Sequence, residues 1–287
     1  MDTFDYAIIG AGAAGLHLAL AMQDDPFFAQ KKILILDKDA KDQNDRTWCY
    51  WEKGAGLWDN LIRKQWDMGD FYHSDAHIAL DLAPYRYKML RGIDFYRHGR
   101  QVLSGRPGLT WIQDEVVSLT YGPEVQIQGH QGQYLARQVF DSRIPEAFGQ
   151  QEDKYTRLLQ HFKGWLVRTP EDRFDPERFV MMDYRLLWEG ATSFTYVLPL
   201  NAREALVEFT LFSPTLLAEA DYDHMLERYM AEVLKITDFE VTETEQGIIP
   251  MTDFPFEQYS VERHLRIGTG GGWVKPSTGY SFKNSEK

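Results

Sequence analysis

The sequence predicts an α/β fold made of two interleaved parts, and three features of the chain support this prediction. A strand, a glycine-rich turn and a helix open the chain over residues 4–23, and a second strand follows at 31–39. Runs rich in aromatic and β-branched residues lie between 161 and 213, as is typical of an antiparallel sheet. A strand and a glycine loop return at 263–282. We therefore expect a Rossmann-type nucleotide-binding domain that is interrupted by a mainly antiparallel substrate domain and then resumed.

The overall composition limits the class of protein. With 31 basic and 43 acidic side chains, the net charge of −12 argues against a general nucleic-acid binder, which needs a positive surface. A single cysteine cannot form an internal disulfide, so nothing indicates an oxidising compartment. The uncharged run at 6–23 lacks the basic residues that precede a signal peptide, and no segment has the length of a transmembrane helix. We expect a cytoplasmic protein, soluble or peripheral at a membrane, with no nucleic-acid partner.

The first turn carries the motif G-x-G-x-x-G, and each glycine has a physical task. Gly10 permits a tight turn, Gly12 lets the backbone approach a pyrophosphate, and Gly15 lets the helix pack closely on the strand. The helix N-terminus then offers N–H groups and a positive dipole end to the phosphates. Together with Ala14 in the first helical turn, these glycines are the predicted phosphate-binding positions.

The second strand ends in Asp37, which is followed by Lys38. An acidic residue at about this distance from the glycines binds the ribose hydroxyls in dinucleotide-binding folds. Strand, glycine turn, helix, strand and acid therefore occur in the order that a bound adenine dinucleotide requires. FAD and NAD both fit the pattern, and both Asp37 and Lys38 are candidate cofactor-binding residues.

Domain boundaries are not marked by linkers or repeats, so we place them by the pattern of elements. The first nucleotide-binding segment is expected at 1–65, and a mixed segment returning to the same domain at 66–150. The substrate domain follows at 151–262, with an amphipathic helix at 221–237. The last nucleotide-binding segment is expected at 263–287.

Short phrases along most of the chain resemble the flavoprotein lycopene cyclases. The most specific are DRTWCYW at 45–51, QHFKGW at 160–165 and KPSTGYSF at 275–282, and the wider fold resembles the FAD-binding hydroxylases and geranylgeranyl reductases. Where flavin hydroxylases carry Gly-Asp, this chain has Gly-Thr at 268–269, and lycopene cyclases also lack that Asp, so the change favours a cyclase over a hydroxylase. Family members continue through further helices beyond this motif, so we expect those C-terminal helices to be missing and the helix begun at Ser277 to be short.

The resemblance implies a lycopene β-cyclase. Such an enzyme uses reduced FAD, with NAD(P)H as the electron source, in an acid-catalysed cyclisation without net redox change. Lycopene, or a related acyclic carotenoid, becomes γ-carotene and then β-carotene as each end closes to a β-ionone ring. Peripheral contact with a membrane is expected for such a substrate. The alternatives are a flavin-dependent prenyl reductase or monooxygenase of the same fold, or an inactive truncated remnant.

Two acidic residues are predicted to be catalytic. Glu208 is the charged residue of the apolar strand LVEFTLF, where burial would raise its pKa and suit it to donating a proton. The alternative is a glutamate that faces water, but the resemblance also places the family's catalytic acid in this phrase. Asp183 is the second candidate, with pairing to Arg185 as its structural alternative. We rank Glu245 below both.

The remaining cofactor candidates follow from the resemblance and from the C-terminal glycine loop. Arg46 resembles the arginine that flavoproteins of this fold place near the FAD pyrophosphate. The loop glycines would pass close to the flat flavin ring, and the backbone N–H groups after them would face its pyrimidine edge at the start of a second helix. The candidates in this segment are Gly270, Gly271, Lys275, Ser277, Thr278 and Gly279.

The aromatic phrase that follows the nucleotide-binding motif predicts a substrate pocket. Trp48, Tyr50 and Trp51 fit the wall of a tunnel for a long apolar polyene, and their electron-rich faces would stabilise a carbocation. Core packing is the alternative for each of them. We interpret Cys49 as a small buried hydrophobe and not as a nucleophile.

No metal site is expected. His73 and His77 are four residues apart and could share a helix face, but no HExxH pattern or cysteine ligand accompanies them. A structural role for both histidines is the simpler interpretation.

Overall fold

The structure is a computed structural model that describes residues 3–150 and 154–286. Strands outnumber helices within these residues, and the α/β class predicted from the sequence is confirmed. The strands are β1 Thr3–Ile9, β2 Ile33–Asp37, β3 Thr47–Lys53, β4 Lys64–Trp66, β5 Met68–His73, β6 Ala76–Asp81, β7 Tyr85–Arg91, β8 Leu109–Gln113, β9 Val116–Thr120, β10 Val125–Gly129, β11 Gln133–Asp141, β12 Leu158–Arg168, β13 Arg178–Asp183, β14 Thr192–Pro199, β15 Glu204–Ser213, β16 Glu240–Met251 and β17 His264–Arg266. The α-helices are α1 Ala13–Asp24, α2 Gly92–Leu103, α3 Ala147–Gln150 and α4 Glu219–Arg228.

The chain divides into two compact units. The first unit comprises Met1–Gln43, Ile93–Thr156 and Met251–Lys287, and the second unit comprises Asn44–Gly92 and Arg157–Pro250. Each unit is therefore assembled from separate stretches of the chain, as expected for a domain that is interrupted and resumed.

The boundaries differ from those placed on the sequence. Residues 44–92 belong to the second unit, whereas the sequence interpretation kept 1–65 and 66–150 with the nucleotide-binding domain. The physical reason is strand pairing, because β3 and β4 pair with β7, and β5 pairs with β13 of the second unit. The boundary expected at residue 151 falls outside the described residues.

The first unit is built on a seven-stranded sheet. Its order is β8-β2-β1-β11-β10-β9, with β17 also paired to β11. The strands β8, β2, β1, β11 and β17 run parallel, and β10 and β9 form an antiparallel extension. All five residues of β2 are buried, which fits the continuous apolar run of a strand in a parallel sheet. Helix α1 connects β1 to β2 as the sequence predicts.

The second unit is built on a mainly antiparallel sheet of seven strands. Its order is β16-β12-β15-β14-β13-β5-β6, and a separate three-stranded sheet has the order β3-β7-β4. Helix α4, continued by one π-helical turn at Tyr229–Val233, packs with the apolar side chains of one face of the larger sheet. Phe209 and Trp165 are among the buried residues of this core.

The second helix predicted after the glycine loop does not form within the described residues. Instead, the N–H groups of Thr278 and Gly279 both donate to the carbonyl of Lys275, at 3.1 and 2.9 Å, and close a single turn. Gly279 then adopts a φ of +74°, which ends any helical path, and only a short 3₁₀ turn follows at Phe282–Asn284.

None of the helices in the described part of the chain is long and apolar enough to cross a bilayer.

Candidate functional site

The glycine motif of the first unit forms the turn between β1 and α1. Gly10 has a φ of +97°, a conformation that favours glycine. A Cβ at Gly15 would lie 1.9 Å from the carbonyl oxygen of Gly10, so the close approach of helix and turn requires a glycine there. A Cβ at Gly12 would meet nothing within 4 Å, which leaves open space where the backbone is expected to approach a ligand.

Asp37 braces this turn from the end of β2. Its carboxylate accepts hydrogen bonds from the backbone N–H of Ala11 at 2.6 Å and of Asp39 at 2.8 Å. Each carboxylate oxygen can accept more than one hydrogen bond, so these contacts leave capacity for a ribose hydroxyl. Lys38 beside it is exposed, and its carbonyl accepts a hydrogen bond from Gln113.

The N-terminus of α1 fits an anionic group. No described side chain caps it, and its first turn, which contains Ala14, carries no acidic residue. The unpaired N–H groups and the positive end of the helix dipole therefore point toward the open space at Gly12. Together with the carboxylate of Asp37, these features suit a dinucleotide whose pyrophosphate lies at the helix end.

The C-terminal glycine loop packs against the backbone of the same unit. A Cβ at Gly270 would lie 2.1 Å from the carbonyl oxygen of Arg143, and one at Gly271 would lie 2.6 Å from that of Arg266. The structure thus gives both glycines a packing role, which the sequence interpretation had not assigned to them. A Cβ at Gly268 would lie 2.8 Å from that of Ala14, so the loop lies against the first turn of α1.

The segment after this loop differs from the prediction for the flavin edge. The N–H groups of Thr278 and Gly279 are used by the carbonyl of Lys275 and do not form a helix N-terminus. Lys275 and Ser277 are exposed. Because Gly279 has a positive φ, a side chain there would strain the backbone whether or not a cofactor lies nearby.

A buried carboxylate that the sequence analysis missed lies at the end of β11. Asp141 is fully buried and accepts hydrogen bonds from Arg143 Nη2 at 2.8 Å and from His264 Nε2 at 3.2 Å, with Arg266 Nη1 at 3.6 Å. Burial alone would raise the pKa of Asp141, but the hydrogen bonds from His264 and Arg143 outweigh it and lower the pKa to about 2. Tyr121 contacts the other ring nitrogen of His264 at 2.8 Å.

In the second unit, two glutamates meet over a glycine. Strand β12 lies between β15, which carries Glu208, and β16, which carries Glu245. Gly164 of β12 is paired with Glu208, and a Cβ at Gly164 would lie 3.4 Å from Glu208 Cβ and 3.3 Å from Glu245 Cγ. The missing side chain leaves the space in which the two side chains approach each other, and each carboxyl shifts the pKa of the other.

The two glutamates have raised pKa values for related reasons. Burial, followed by the charge of Glu245, raises the pKa of Glu208 well above its usual value. Burial also raises the pKa of Glu245, to about 7, although hydrogen bonds from Thr47 and Glu208 counteract it. Burial and the charge of Glu245 therefore favour the protonated form of Glu208, although part of its side chain remains accessible to solvent.

Hydroxyl groups hold both carboxyls in place. Thr47 Oγ1 donates to Glu245 Oε2 at 2.7 Å, and Thr210 Oγ1 donates to Glu208 Oε1 at 3.1 Å. Thr47 comes from β3, a strand that lies 198 residues from Glu245 along the chain. A cavity of about 20 Å³, large enough for one water, is lined by Thr47, Arg91, Glu243 and Glu245 among others.

The phrase DRTWCYW therefore contributes to the acid site. Side chains alternate along β3, so Thr47, Cys49 and Trp51 share one face. Burial, followed by the charges of Glu208 and Glu245, raises the pKa of the Cys49 thiol well above its usual value. Cys49 is thus a neutral group beside the acid pair, in keeping with the interpretation that it is not a nucleophile.

The three predicted pocket aromatics do not lie on one face of β3. Trp51 faces the Thr47 side and contacts Tyr87, with a ring separation of 4.6 Å, in a cluster that includes Phe179. Tyr50 is buried, and Trp48 shares its face by strand alternation. Of the three, the structure brings only Trp51 to the face that carries Thr47 and Cys49.

Asp183 lies on the other face of the sheet from Glu208. It is paired with Thr195, which is paired in turn with Phe209 of the helix-covered core. Directly paired residues share a face, and Glu208 precedes Phe209 on its strand, so the two acids point in opposite directions. Asp183 is bound by Arg185 and by Tyr229 at 2.6 Å. The structural alternative that we named for Asp183 is therefore the one that the geometry supports.

Three further predicted residues can be placed. Arg46 belongs to the second unit, where it is exposed with Asp45 at 3.4 Å. His73 and His77 lie on the paired strands β5 and β6 and not on a helix, and His77 bonds to Asp70 at 2.8 Å. Among the described residues, no group of three or more potential ligands could hold a metal ion.

Comparisons with known proteins agree with this fold. The family model described as lycopene cyclase protein matches residues 5–287. None of the curated protein sequences that were compared matches significantly.

The similar solved structures are distant in sequence. A geranylgeranyl bacteriochlorophyll reductase-like protein from Thermoplasma acidophilum is 13% identical with a TM-score of 0.73, over 100% of this chain and 76% of that one. A tetracycline destructase is 13% identical with a TM-score of 0.64, over 100% and 80% of the two chains. A flavin-dependent brominase is 11% identical with a TM-score of 0.64, over 99% and 76%. At these sequence identities the similarity shows a shared fold and nothing about function.

Proposed function

The chain belongs to the lycopene cyclase protein family, and we propose that it is a lycopene β-cyclase. The observation that carries the proposal is the carboxyl pair of Glu208 and Glu245, which meet over Gly164 in surroundings that favour the protonated form of Glu208. Protonation of a terminal double bond requires such an acid, whereas an ordinary surface glutamate would be ionised.

The reaction needs one proton that is first given and then recovered. Glu208 donates a proton to an end double bond of the polyene, and the resulting carbocation closes a six-membered ring by forming a carbon–carbon bond. Loss of a proton from the adjacent ring carbon gives the β-ionone double bond, so the product is an isomer of the substrate. Trp51 and Tyr87 are suited to stabilise the carbocation with their ring faces.

We propose that the first unit binds FAD. The open space at Gly12, the uncapped N-terminus of α1 and the carboxylate of Asp37 support a dinucleotide, and one of the similar folds is that of a flavin-dependent brominase. When bound in its reduced form, with NAD(P)H as the electron source, the flavin would supply negative charge that favours a carbocation. Asp37 would bind the ribose, and the N–H groups after Gly12 would bind the pyrophosphate.

The function is tested by producing the chain in lycopene-accumulating cells and extracting the pigments. We expect β-ionone products with the wild-type chain and a loss of at least roughly 100-fold with Glu208→Gln, which cannot donate a carboxylic proton. Glu204→Gln is the matched control, because Glu204 lies on the same strand but is ion-paired with Arg168 at the surface. Unchanged lycopene in cells that contain flavin-loaded wild-type protein would contradict the proposal.

The cofactor balance separates this proposal from a prenyl reductase or monooxygenase. A cyclase needs its flavin reduced only once for many turnovers, whereas either alternative consumes one NAD(P)H for each product. Counting NAD(P)H oxidised against product formed therefore distinguishes them.

The expected substrate also implies contact with a membrane. Lycopene or a related acyclic carotenoid is a hydrocarbon that partitions into bilayers, so we propose peripheral binding of the protein to the bilayer surface. Flotation of the protein with neutral phospholipid vesicles, with and without lycopene, tests this. Absence of the protein from both vesicle fractions would exclude peripheral binding to the bilayer.

A further inference from the structure

Glu245 is buried on the far side of Gly164 from Glu208, and its two oxygens have different surroundings. Oε2 accepts the hydrogen bond from Thr47 at 2.7 Å. Oε1 is buried without a described donor, which leaves it for the bond to the carboxyl of Glu208. When Glu245 is protonated, Thr47 therefore favours a proton on Oε1, directed at Glu208.

Glu208 becomes negatively charged when it donates its proton, and this charge determines whether Glu245 must be protonated or ionised for the reaction to proceed. If Glu245 were ionised, donation by Glu208 would leave two adjacent carboxylates in a site with little water, and like charges there repel strongly. If Glu245 carries a proton, the new Glu208 carboxylate accepts a hydrogen bond from it, and a charge-assisted hydrogen bond is about twice as strong as a neutral one. The second arrangement makes Glu208 the stronger acid.

We propose that Glu245 is a positioning residue that acts through Glu208, donating a hydrogen bond to the carboxylate that Glu208 becomes when it protonates the substrate. This inference rests on the proposed cyclisation. In the full cycle the Glu208 O–H bond breaks as a C–H bond forms on the substrate, and the ring closes through a new carbon–carbon bond. A ring C–H bond then breaks, and its proton returns to Glu208. Glu245 keeps its own proton throughout.

The other groups around the pair fit this role. Cys49 of β3 faces it as a neutral thiol that is hydrogen-bonded to Tyr87 of β7. Arg91 of β7 bonds to Glu243 at 2.7 Å, and these two charges act on Glu245 in opposite directions. Glu245 is therefore the group beside Glu208 whose charge changes near neutral pH, because its pKa is about 7.

The test compares pH profiles of cyclisation by the flavin-loaded protein on lycopene-containing vesicles. Activity of the wild-type chain should fall about tenfold per pH unit above the pKa of Glu245. Glu245→Gln keeps a hydrogen-bond donor but cannot ionise, so it should stay active and lose this alkaline decline. Glu245→Leu, which has no donor, should lose activity at every pH, and Glu240→Gln on the same strand should match the wild type.

Two outcomes would overturn the inference. Glu245→Gln as inactive as Glu208→Gln would mean that Glu245 itself exchanges protons with the substrate, and an unchanged alkaline decline would assign the titration to another group. Infrared titration of protonated carboxyls, without substrate, keeps the test independent of cyclisation. There Glu245→Gln should lower the titration midpoint of Glu208, because the neighbouring negative charge is gone. Failure of the wild-type chain to form rings would refute the proposed function. The infrared titration would still show whether Glu245 and Glu208 interact, because it needs no substrate.

Discussion

The two units each bury a carboxyl site, and the two sites have opposite chemistry. Asp141 of the first unit is fully buried among Arg143, Arg266 and His264, and its pKa is lowered to about 2. Glu208 and Glu245 of the second unit are surrounded by hydroxyls and by each other, and their pKa values are raised. Burial alone does not determine the charge of a carboxyl. Direct hydrogen bonds from cationic partners make Asp141 part of a fixed ion pair, whereas the carboxyls of Glu208 and Glu245 are bonded by the hydroxyls of Thr210 and Thr47.

The largest effect is expected when the carboxylate of Asp141 is replaced by a neutral amide. Asp141→Asn should lower the free energy of unfolding by about 3 kcal/mol, because it leaves Arg143 and Arg266 without their buried partner. Urea unfolding of the purified chain measures this effect. Glu115→Gln is the control in the same unit, since its exposed carboxylate lies 3.5 Å from His130 and should contribute less than about 1 kcal/mol. Equal effects for the two variants would contradict the assignment of Asp141 as a buried ion-pair centre.

The pH dependence of stability should have opposite signs for the two sites. The folded pKa of Asp141 lies below its usual value of 3.8, so its contribution is present above that pH and is lost as the pH falls toward 2. The folded pKa values of Glu208 and Glu245 lie above the usual 4.5, so the folded chain binds more protons and stability falls as the pH rises from there through about 7. Each unit of raised pKa costs about 1.4 kcal/mol on the alkaline side.

Denaturant unfolding at a series of pH values, from about pH 2 to about pH 8, measures both the loss of stability in acid and the decline above pH 4.5. Glu208→Gln and Glu245→Gln should flatten the decline above about pH 5 and leave the acid limb intact. A variant that keeps the full alkaline decline would show that other groups cause it.

The smallest expected effect concerns Thr47. Its hydroxyl bonds to Glu245 and lowers the pKa of that carboxyl, so Thr47→Val should raise the titration midpoint of Glu245 and cost about 1 kcal/mol of stability. Infrared titration gives the midpoint and urea unfolding gives the stability. Thr210→Val is the matched comparison, because Thr210 bonds to Glu208 and should shift that residue instead. If both variants titrate like the wild type, the hydroxyls do not set these pKa values.

Local patterns in the sequence were sufficient to predict the opening strand, glycine turn, helix and second strand. The strand, the three glycines and Asp37 fall within 37 residues, so their spacing determines their geometry. The raised pKa of Glu208 could also be predicted, because this glutamate is a single charged residue in an apolar strand. The helix expected at Ser277 could not be predicted correctly, since the positive φ of Gly279 depends on how the chain turns back through Lys275.

The partner of Glu208 required information that the sequence does not contain. Glu245 and Gly164 are distant in the chain and meet through the order and register of β16, β12 and β15. That Asp183 faces away from Glu208 could not be predicted for the same reason. Whether an acid lies on the same sheet face as Glu208 depends on the register of the paired strands, which the sequence does not show. The neighbouring Arg185 was the better local indication that Asp183 forms an ion pair.

Strand β16 lies at one end of its sheet, next to β12. Successive side chains of a strand point to opposite faces, so a slip of β16 by one residue would carry Glu245 away from Gly164 and put Thr244 or Gln246 in its place. On the proposed function, a molecule that folded with that slip would keep the glycine motif of the first unit, and with it the proposed flavin site, but would lose the acid pair and fail to turn over. Folding fidelity at a single edge strand would then determine the fraction of competent molecules in a preparation, and counting bound flavin would overestimate it.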